Sequence, residues 1–298
     1  MKRYLLMAAI VCGAVPVGAQ TTPAVPMPAA ASSGPAVQVG PVLPPKPLSE
    51  DARATLQVLH DRKDTLKDFT GKIDFDVEDG RSGDHNGKLG TVDFIMDPTK
   101  GPTFSAKFDA QRKGKDKARG TTYVAYNLWY VFDGRDFTIK DFGINDNTKQ
   151  YLHDTLLPPG AKPGSAATLS GAMPLPIGLD VEDVARNFDV TAMPSANADE
   201  AVVKLVPRDK QKFKYEELAI TRDKKQQLPV KLVQVGADGD TTTILLKELK
   251  VNTGEAKLAD AGTPAAEGWR PMQATNGGGA PGNLQPAPAV APARPAGG

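Results

Sequence analysis

The residue types that most often carry chemistry are sparse in this sequence and far apart. Its three histidines, His60, His85 and His153, stand in three different contexts. No HExxH, GxSxG, P-loop or dinucleotide-binding glycine pattern occurs in the sequence. A catalytic site would need a nucleophile near a base, paired acids or a ligand cluster. The sequence therefore favours binding over catalysis, and we expect no enzyme, no cofactor and no metal.

One acidic stretch offers the oxygen ligands that calcium prefers. It contains Asp76, Glu78, Asp79, Asp84 and Asn86. Their spacing does not follow the EF-hand pattern, and a polar hairpin tip is the favoured interpretation.

A basic cluster is the second group of residues that could form a binding site. Arg112, Lys113, Lys115, Lys117 and Arg119 have only Asp116 opposing them. Such a cluster would attract anionic head groups or an acidic partner surface. It lies between two predicted strands without interleaved aromatic residues, so a solvated hairpin tip is the favoured alternative.

The charge balance of the whole chain excludes a strong electrostatic field. There are 36 Lys and Arg residues against 35 Asp and Glu residues, a net charge of +1. A nucleic-acid-binding protein usually carries a marked basic excess. We therefore expect no nucleic-acid partner.

The first 19 residues have the three parts of a cleavable secretory signal. Lys2 and Arg3 are followed by a mostly apolar run, and Val17-Gly18-Ala19 forms a small-residue cleavage site. The run is shorter than the roughly 20 apolar residues that a bilayer span requires. We expect cleavage after Ala19 and a soluble protein that acts outside the cytoplasm.

Cys12 opens an alternative, because lipoproteins are cut immediately before a cysteine. Val11 stands where such a site needs a small residue, which disfavours lipidation. Cleavage after Ala19 removes the single cysteine of the chain, so the mature protein would have no disulfide.

Composition divides the remainder into a domain and two tails. Residues 20–47 are rich in Pro and Ala, and residues 262–298 are rich in Gly, Pro and Ala. Segments of this kind bury little surface, and we expect both to be disordered. Residues 48–261 are long enough for one domain with a substantial core.

The domain is predicted to open with a helix. Ser49 suits the N-cap position, and Ala52, Leu56, Leu59 and Leu66 recur at helical spacing. A second, short helix is predicted after Asp180, with Val181, Val184, Ala185 and Phe188 as its apolar side.

Period-two alternation elsewhere predicts strands. The predicted strands are KIDFDV, TVDFIMD, FSAKFDAQ, TTYVAYNLWYVF and DFTIKDF, then AVVKLVPR, KYEELAITR, LPVKLVQV and TTTILLKELKV. Asp133-Gly134 is a strong hairpin signal, whereas DGRSGDHNGKLG reads as a turn. The Pro- and Gly-rich stretch 156–178 is predicted to be a long surface excursion.

Short connections between these strands require antiparallel neighbours. The fold class is therefore mainly β, of the α+β kind, with one large antiparallel sheet. Several strands are apolar on both faces, as in WYVF and TILLKEL. Either helices cover one face or the sheet curves around a hollow.

The order of several short motifs resembles the LolA-type family of periplasmic outer-membrane lipoprotein carriers. The resemblance extends from about Ser49 to Asn252. The motifs that carry it are Asp133-Gly134, Leu205-Val206-Pro207, Leu228-Pro229, Asp238-Gly239-Asp240, Thr242-Thr243-Ile244 and Asn252. The Arg-Trp pair of that family is absent here, and Lys107-Phe108 stands in roughly its place.

The resemblance implies an incomplete, strongly curved β-barrel with covering helices and an apolar hollow for acyl chains. It also implies a monomeric periplasmic carrier that moves lipoproteins toward the outer membrane, between an inner-membrane donor and an outer-membrane acceptor. A non-catalytic envelope interaction module or lipid-sensing regulator on the same fold is the alternative.

The large apolar residues of the predicted strands are the candidates for lining such a hollow, with an ordinary filled core as the alternative. They are Phe75, Phe94, Phe104, Phe108, Trp129, Tyr130, Leu232 and Leu246.

Overall fold

A computed structural model describes residues 44–113, 122–143, 149–157, 165–170, 173–213, 215–260 and 269–272. The predicted signal, Cys12 and most of both predicted tails lie outside these residues. No helix in the described ranges is long and apolar enough to cross a membrane.

The described residues form two α-helices, two short 3-10 helices and one sheet of twelve strands. The helices are α1 (Glu50–Asp61) and α2 (Val181–Asn187), with 3-10 helices at Arg62–Asp64 and Ala166–Ser170. The strands are β1 (Asp68–Glu78), β2 (His85–Asp97), β3 (Gly101–Lys113), β4 (Thr122–Phe132), β5 (Asp136–Asp141), β6 (Gln150–Thr155), β7 (Phe188–Met193), β8 (Glu200–Pro207), β9 (Tyr215–Asp223), β10 (Pro229–Gly236), β11 (Thr241–Val251) and β12 (Arg270–Pro271).

The strand order is β12-β6-β5-β4-β3-β2-β1-β11-β10-β9-β8-β7. All neighbours are antiparallel except the two-residue strand β12, which runs parallel to β6. β1 therefore pairs with the last long strand, β11, and joins the two halves of the sheet.

Both predicted helices are present with the expected caps. The Ser49 hydroxyl accepts a hydrogen bond from the Ala52 amide at 3.4 Å, and the Asp180 carboxylate accepts one from the Asp183 amide at 2.7 Å. α1 ends at Asp61, so the buried residue Leu66 lies beyond it. Phe188 begins β7 rather than ending α2, because its backbone is extended and pairs with Pro207.

β2 begins earlier than the predicted strand, inside the stretch that reads as a turn. Gly90 lies at a β-bulge between β2 and β3, where a Cβ atom would be only 2.0 Å from the carbonyl oxygen of Lys107. Glycine here allows close strand approach rather than a turn. The predicted turn at Asp133-Gly134 is present between β4 and β5.

The sheet bends around one core and remains open at the edge strands β12 and β7. Twelve flat strands would extend about 50 Å at roughly 4.8 Å each. A continuous apolar core nevertheless extends from Phe137 on β5 to Phe188 on β7. We call the side that carries Phe75 the inner face and the opposite side the outer face. The predicted fold class, a curved antiparallel sheet with covering helices, is confirmed.

The chain after β11 crosses the outer face. The Ala259 amide donates to the Ser105 hydroxyl at 3.0 Å, and the Lys140 ammonium donates to the Asp260 carbonyl at 2.6 Å. Further on, the amides of Arg270 and Met272 donate to carbonyls of β6 and the residue before it. Residues 269–272 therefore join the sheet, although composition alone predicts a disordered tail from residue 262.

Candidate functional site

An aromatic cluster occupies the inner face of β1 to β5. The Phe75 ring centroid lies 5.7 Å from Phe108 and 5.9 Å from Tyr130, and those two are 5.2 Å apart. Phe104 extends the cluster to Phe132 at 5.7 Å. Edge-to-face and tilted ring pairs of this kind stabilise an apolar interior beyond simple area burial.

Seven of the eight candidate lining residues lie on this inner face. Phe75, Phe94, Phe104, Phe108, Tyr130, Leu232 and Leu246 are all at most 4% exposed. Trp129 lies on the outer face, because it precedes Tyr130 in β4 and side chains alternate. It packs against Phe142 at 4.7 Å, and the Lys107 ammonium lies 5.7 Å from its ring.

Residues 165–170 and 173–179, which we call the cover, lie over the inner face. Their buried apolar side chains include Ala166, Leu169, Met173, Leu175 and Ile177. The prediction of a surface excursion is wrong for these residues. Pro and Gly break the regular structure, but the apolar residues between them still require burial.

The cover fills space that the resemblance assigns to a hollow. A void between the cover and the sheet is lined by Phe104, Phe132, Met173 and Leu175, among others, and has a volume of about 10 Å³. A single water molecule barely fits such a space. Beside Phe104 and Phe132, the inner face is therefore packed against Met173 and Leu175 of the cover.

Polar contacts hold the cover to the helices rather than to the sheet in the described ranges. The Asp183 carboxylate on α2 accepts hydrogen bonds from the Ala166 amide at 2.7 Å and the Ser165 hydroxyl at 3.2 Å. The Gly178 amide donates to the Leu59 carbonyl of α1 at 3.0 Å. No hydrogen bond joins the described residues of the cover to the sheet, so the sheet does not fix the position of the cover through backbone pairing.

A buried lysine interrupts the apolar inner face. Lys88 pairs with Phe75 in the β1–β2 register and is 3% exposed, with its Nζ atom 5.1 Å from the Phe75 ring centroid. Burial lowers the pKa of Lys88 to about 8, although Asp141 and Asp76 act in the opposite direction. Neither its ammonium nor the buried Tyr130 hydroxyl has a hydrogen-bond partner in the described structure.

Sequence reasoning missed Lys88, although a signal was present. In the stretch Lys88-Leu89-Gly90-Thr91-Val92-Asp93-Phe94, the alternate positions that include Val92 and Phe94 face inward. Lys88 belongs to the same set of alternate positions and therefore also faces inward. The glycines on both sides led to the interpretation of this stretch as a turn.

The predicted basic cluster is only partly described. Lys115, Lys117 and Arg119 lie outside the described residues, as does the side chain of Lys113. The Arg112 side chain is 3% exposed, and its Nη1 atom lies 3.8 Å from the Asp76 carboxylate. Arg112 therefore does not belong to a solvated basic surface, because its side chain is buried against the sheet beside Asp76 of β1.

The acidic stretch has structural partners of its own. Asp79 accepts hydrogen bonds from the Arg81 and Ser82 amides, which hold the pKa of its carboxyl below the usual range. Asp76 lies 2.7 Å from His85. Among the described residues, no group of three or more His, Cys, Asp or Glu side chains is placed to hold a metal ion.

A surface groove lies on the other half of the molecule. It has a volume of about 440 Å³ and lies between α1 and the β7–β8 turn. Asp51, Thr55, Met193, Glu200 and Arg222 are among its lining residues. Its lining is mixed in charge and polarity, unlike the inner face.

No protein-family model matches this chain, and a comparison with curated proteins finds no match. Solved structures do match. The complex of MucA and MucB from Pseudomonas aeruginosa matches at 15% identity and a TM-score of 0.38 over 70% of this chain and 59% of that chain. This chain thus spans under two thirds of that protein.

Two further matches cover most of the solved chain. A putative outer-membrane lipoprotein-sorting protein domain from Vibrio parahaemolyticus has 13% identity and a TM-score of 0.29, over 68% of this chain and 94% of that one. A LolA superfamily protein from Nitrosomonas europaea has 10% identity and a TM-score of 0.28, over 70% and 94%. LolA-type proteins are thus among the solved structures that this chain resembles, as its sequence motifs predict.

Proposed function

We propose that this protein binds the acyl chains of lipoproteins, or of related lipids, between the inner face and the cover. We further propose that it carries them through the periplasm toward the outer membrane. The supporting observation is the apolar contact of the cover with an aromatic face, free of hydrogen bonds in the described ranges. Such a segment can separate from the sheet without breaking a hydrogen bond to it, and its polar contacts are with the helices.

Binding would exchange one apolar contact for another. In the closed form, Met173 and Leu175 of the cover occupy the space beside Phe104 and Phe132. An entering chain would replace them and remove its own surface from water, at about 0.8 kcal/mol per buried CH₂ group. The acyl chain must first replace the apolar contacts that the displaced cover made. Net affinity therefore depends on how much more apolar surface the chain buries than the cover did, and it should rise with chain length.

A cover over the inner face suits a carrier in aqueous surroundings. Monomeric proteins rarely expose large contiguous apolar patches, and an uncovered aromatic face would be a patch of this kind. The cover would shield this face until an acyl chain arrives. An inner-membrane donor and an outer-membrane acceptor are the partners that this role requires, and we propose a monomer.

The second candidate is a non-catalytic interaction module that senses envelope partners without carrying lipid. The filled inner face favours it, together with the groove of about 440 Å³ beside α1. In this account the cover is a permanent part of the core, and the groove receives a polypeptide.

One binding experiment separates the two candidates. The purified protein is titrated with a triacylated peptide that mimics a lipoprotein N-terminus, and with the same peptide without acyl chains. Organic extracts of the purified protein are analysed in parallel by mass spectrometry for bound lipid. Binding of the acylated peptide alone supports the carrier. Equal binding of both peptides supports the interaction module, and binding of neither contradicts both candidates.

A further inference from the structure

We infer that Lys88 and Tyr130 form a binding site for the anionic head of an acyl lipid, a carboxylate or a phosphate, whose chain lies along the aromatic cluster. This inference rests on the proposed function and names the class of lipid. It starts from two polar groups on the inner face that have no hydrogen-bond partner in the described structure.

The two groups flank the same aromatic ring. The Lys88 ammonium lies 5.1 Å from the Phe75 centroid, and the Tyr130 ring meets Phe75 edge-on at 5.9 Å. An ammonium supplies three hydrogen-bond donors and a phenol supplies one. Donors without acceptors in an apolar site match an oxyanion, since charge-assisted hydrogen bonds to an oxyanion are the strongest available there.

Neither of the two neighbouring carboxylates forms a hydrogen bond with Lys88 in the described ranges, and both have other donors. Asp141 accepts hydrogen bonds from the Tyr126 hydroxyl at 2.6 Å and the Gly143 amide at 2.8 Å. Asp76 lies 2.7 Å from His85 and 3.8 Å from Arg112. The ammonium of Lys88 is therefore buried within the field of two carboxylates without an ion pair to either in the described ranges.

A second buried lysine, Lys140, differs from Lys88 because its ammonium has partners in the described structure. Lys140 lies on the outer face, and its ammonium donates to the Asp260 carbonyl at 2.6 Å and lies 3.6 Å from the Asp260 carboxylate. Burial of an unpaired ammonium is strongly unfavourable. A partner for Lys88 that arrives with a ligand accounts for the difference between the two lysines.

The aromatic cluster supplies the rest of the site. Phe75, Phe108 and Tyr130 adjoin the two donors, and Phe104 and Phe132 continue the apolar face under the cover. A single-chain lipid with its head at Lys88 would place its chain on these rings. An uncharged head would leave the ammonium unpaired, so the site would discriminate by charge.

The test measures how lipid affinity depends on the head group at constant chain length. Palmitate, lysophosphatidic acid with a palmitoyl chain, and monopalmitoylglycerol are titrated into the purified protein at pH 7. We expect at least one of the two anionic lipids to bind ten or more times as tightly as monopalmitoylglycerol. The tighter of the two shows whether the site prefers a carboxylate or a phosphate. Acetate and inorganic phosphate test the head without a chain, and binding as tight as that of the lipids would overturn the assignment.

Variants assign any preference to the two side chains. Lys88→Met keeps the volume apolar and should reduce the anionic preference to less than twofold, while monopalmitoylglycerol binds at least as tightly as before. Tyr130→Phe should reduce the preference by a smaller factor, roughly two- to fivefold. Lys140→Met is the matched control and should leave the preference unchanged.

The outcomes distinguish this inference from the proposed function. Equal binding of charged and uncharged lipids, or a preference that survives in Lys88→Met, would overturn the inference and leave acyl-chain binding intact. If none of the three lipids binds, the inference fails, and the titration with the triacylated peptide decides the proposed function separately.

Discussion

Lys88 and Phe75 face each other across the β1–β2 pair, with the lysine ammonium 5.1 Å from the phenylalanine ring centroid. The ring face attracts the cation and offsets part of the cost of removing it from water, by about 2 kcal/mol in a desolvated setting. The pKa of Lys88 is nevertheless lowered to about 8, because desolvation outweighs the nearby carboxylates. The folded protein therefore carries a destabilising charge on its inner face.

Lys88→Met should increase the free energy of unfolding at pH 7. Between pH 8 and 10.5 the unfolded wild-type chain holds a proton on this lysine that the folded protein releases, so wild-type stability rises with pH in that window. The advantage of Lys88→Met should thus shrink by on the order of 3 kcal/mol between pH 7 and pH 11. Urea unfolding of both proteins at each pH measures the gap.

Lys140→Met provides the comparison for this prediction. It removes a donor that has the Asp260 carbonyl as its partner, so it should lower stability, by about 1–3 kcal/mol for a charged hydrogen bond. If the Lys88→Met protein is less stable than wild type at pH 7, the Lys88 ammonium must have a stabilising partner in the folded protein, which would contradict this prediction.

Asp183→Ala should loosen the cover. The substitution removes the acceptor of the Ala166 amide and the Ser165 hydroxyl and should cost about 1–3 kcal/mol. Amide hydrogen exchange should accelerate in residues 165–179 more than in the sheet. Glu182→Ala is the control, because its ion pair with Arg53 is exposed on both sides and contributes about 0–1 kcal/mol. Uniform acceleration across the sheet would show that the cover does not open independently.

Asn252→Ala should destabilise the junction between α1 and β1. The Asn252 side chain accepts a hydrogen bond from the Lys67 amide at 2.7 Å and donates one to the Thr65 carbonyl at 2.9 Å. Its φ of 56° is also costly for alanine. We expect a loss of about 2–4 kcal/mol in chemical unfolding. Asn252→Gly should recover about 1 kcal/mol of this, since glycine accepts a positive φ, and an equal loss for both variants would exclude backbone strain.

Phe108→Leu should weaken acyl-chain binding, whereas Trp129→Leu should not. Phe108 packs against Phe75 and Tyr130 on the inner face, and Trp129 packs against Phe142 on the outer face. Titration with the triacylated peptide should show at least a threefold loss of affinity for Phe108→Leu alone. Similar losses in both variants would place the ligand elsewhere.

Local sequence patterns predicted most of the helices, strands and turns of the fold. Ser49 and Asp180 cap the two helices as predicted, and Asp133-Gly134 turns the chain between β4 and β5. Local patterns failed where packing overrides composition. Gly90 permits a bulge within a strand, and the apolar residues from Met173 to Leu179 are buried despite their prolines.

The candidate site was less predictable than the fold. Alternation identifies which residues share a face of one strand but not which face lies inward, so the sequence leaves both Trp129 and Tyr130 as candidates. The burial of Arg112 depends on Asp76 and His85 of neighbouring strands, which only the sheet register brings together. Lys88 required the same register, because its partner ring lies on β1.

The central claim is that an acyl chain enters only when the cover moves, and a removable cross-link tests it. A Cβ atom on Gly178 would lie 3.3 Å from the Cβ atom of Lys63, close to the 3.5–4.5 Å of a disulfide. Lys63 lies in the 3-10 helix just before β1, so a bond there would fix the end of the cover to the start of the sheet. The double variant Lys63→Cys/Gly178→Cys can therefore be locked and released with a reductant.

The measurement is the rate of triacylated-peptide uptake by this double variant before and after reduction. Gly178→Cys alone controls for the strain of a non-glycine residue at a φ of 75°. The account predicts uptake at least tenfold slower in the oxidised double variant, with recovery on reduction and no redox effect in the single variant. Equal uptake by the oxidised and reduced double variant would contradict it.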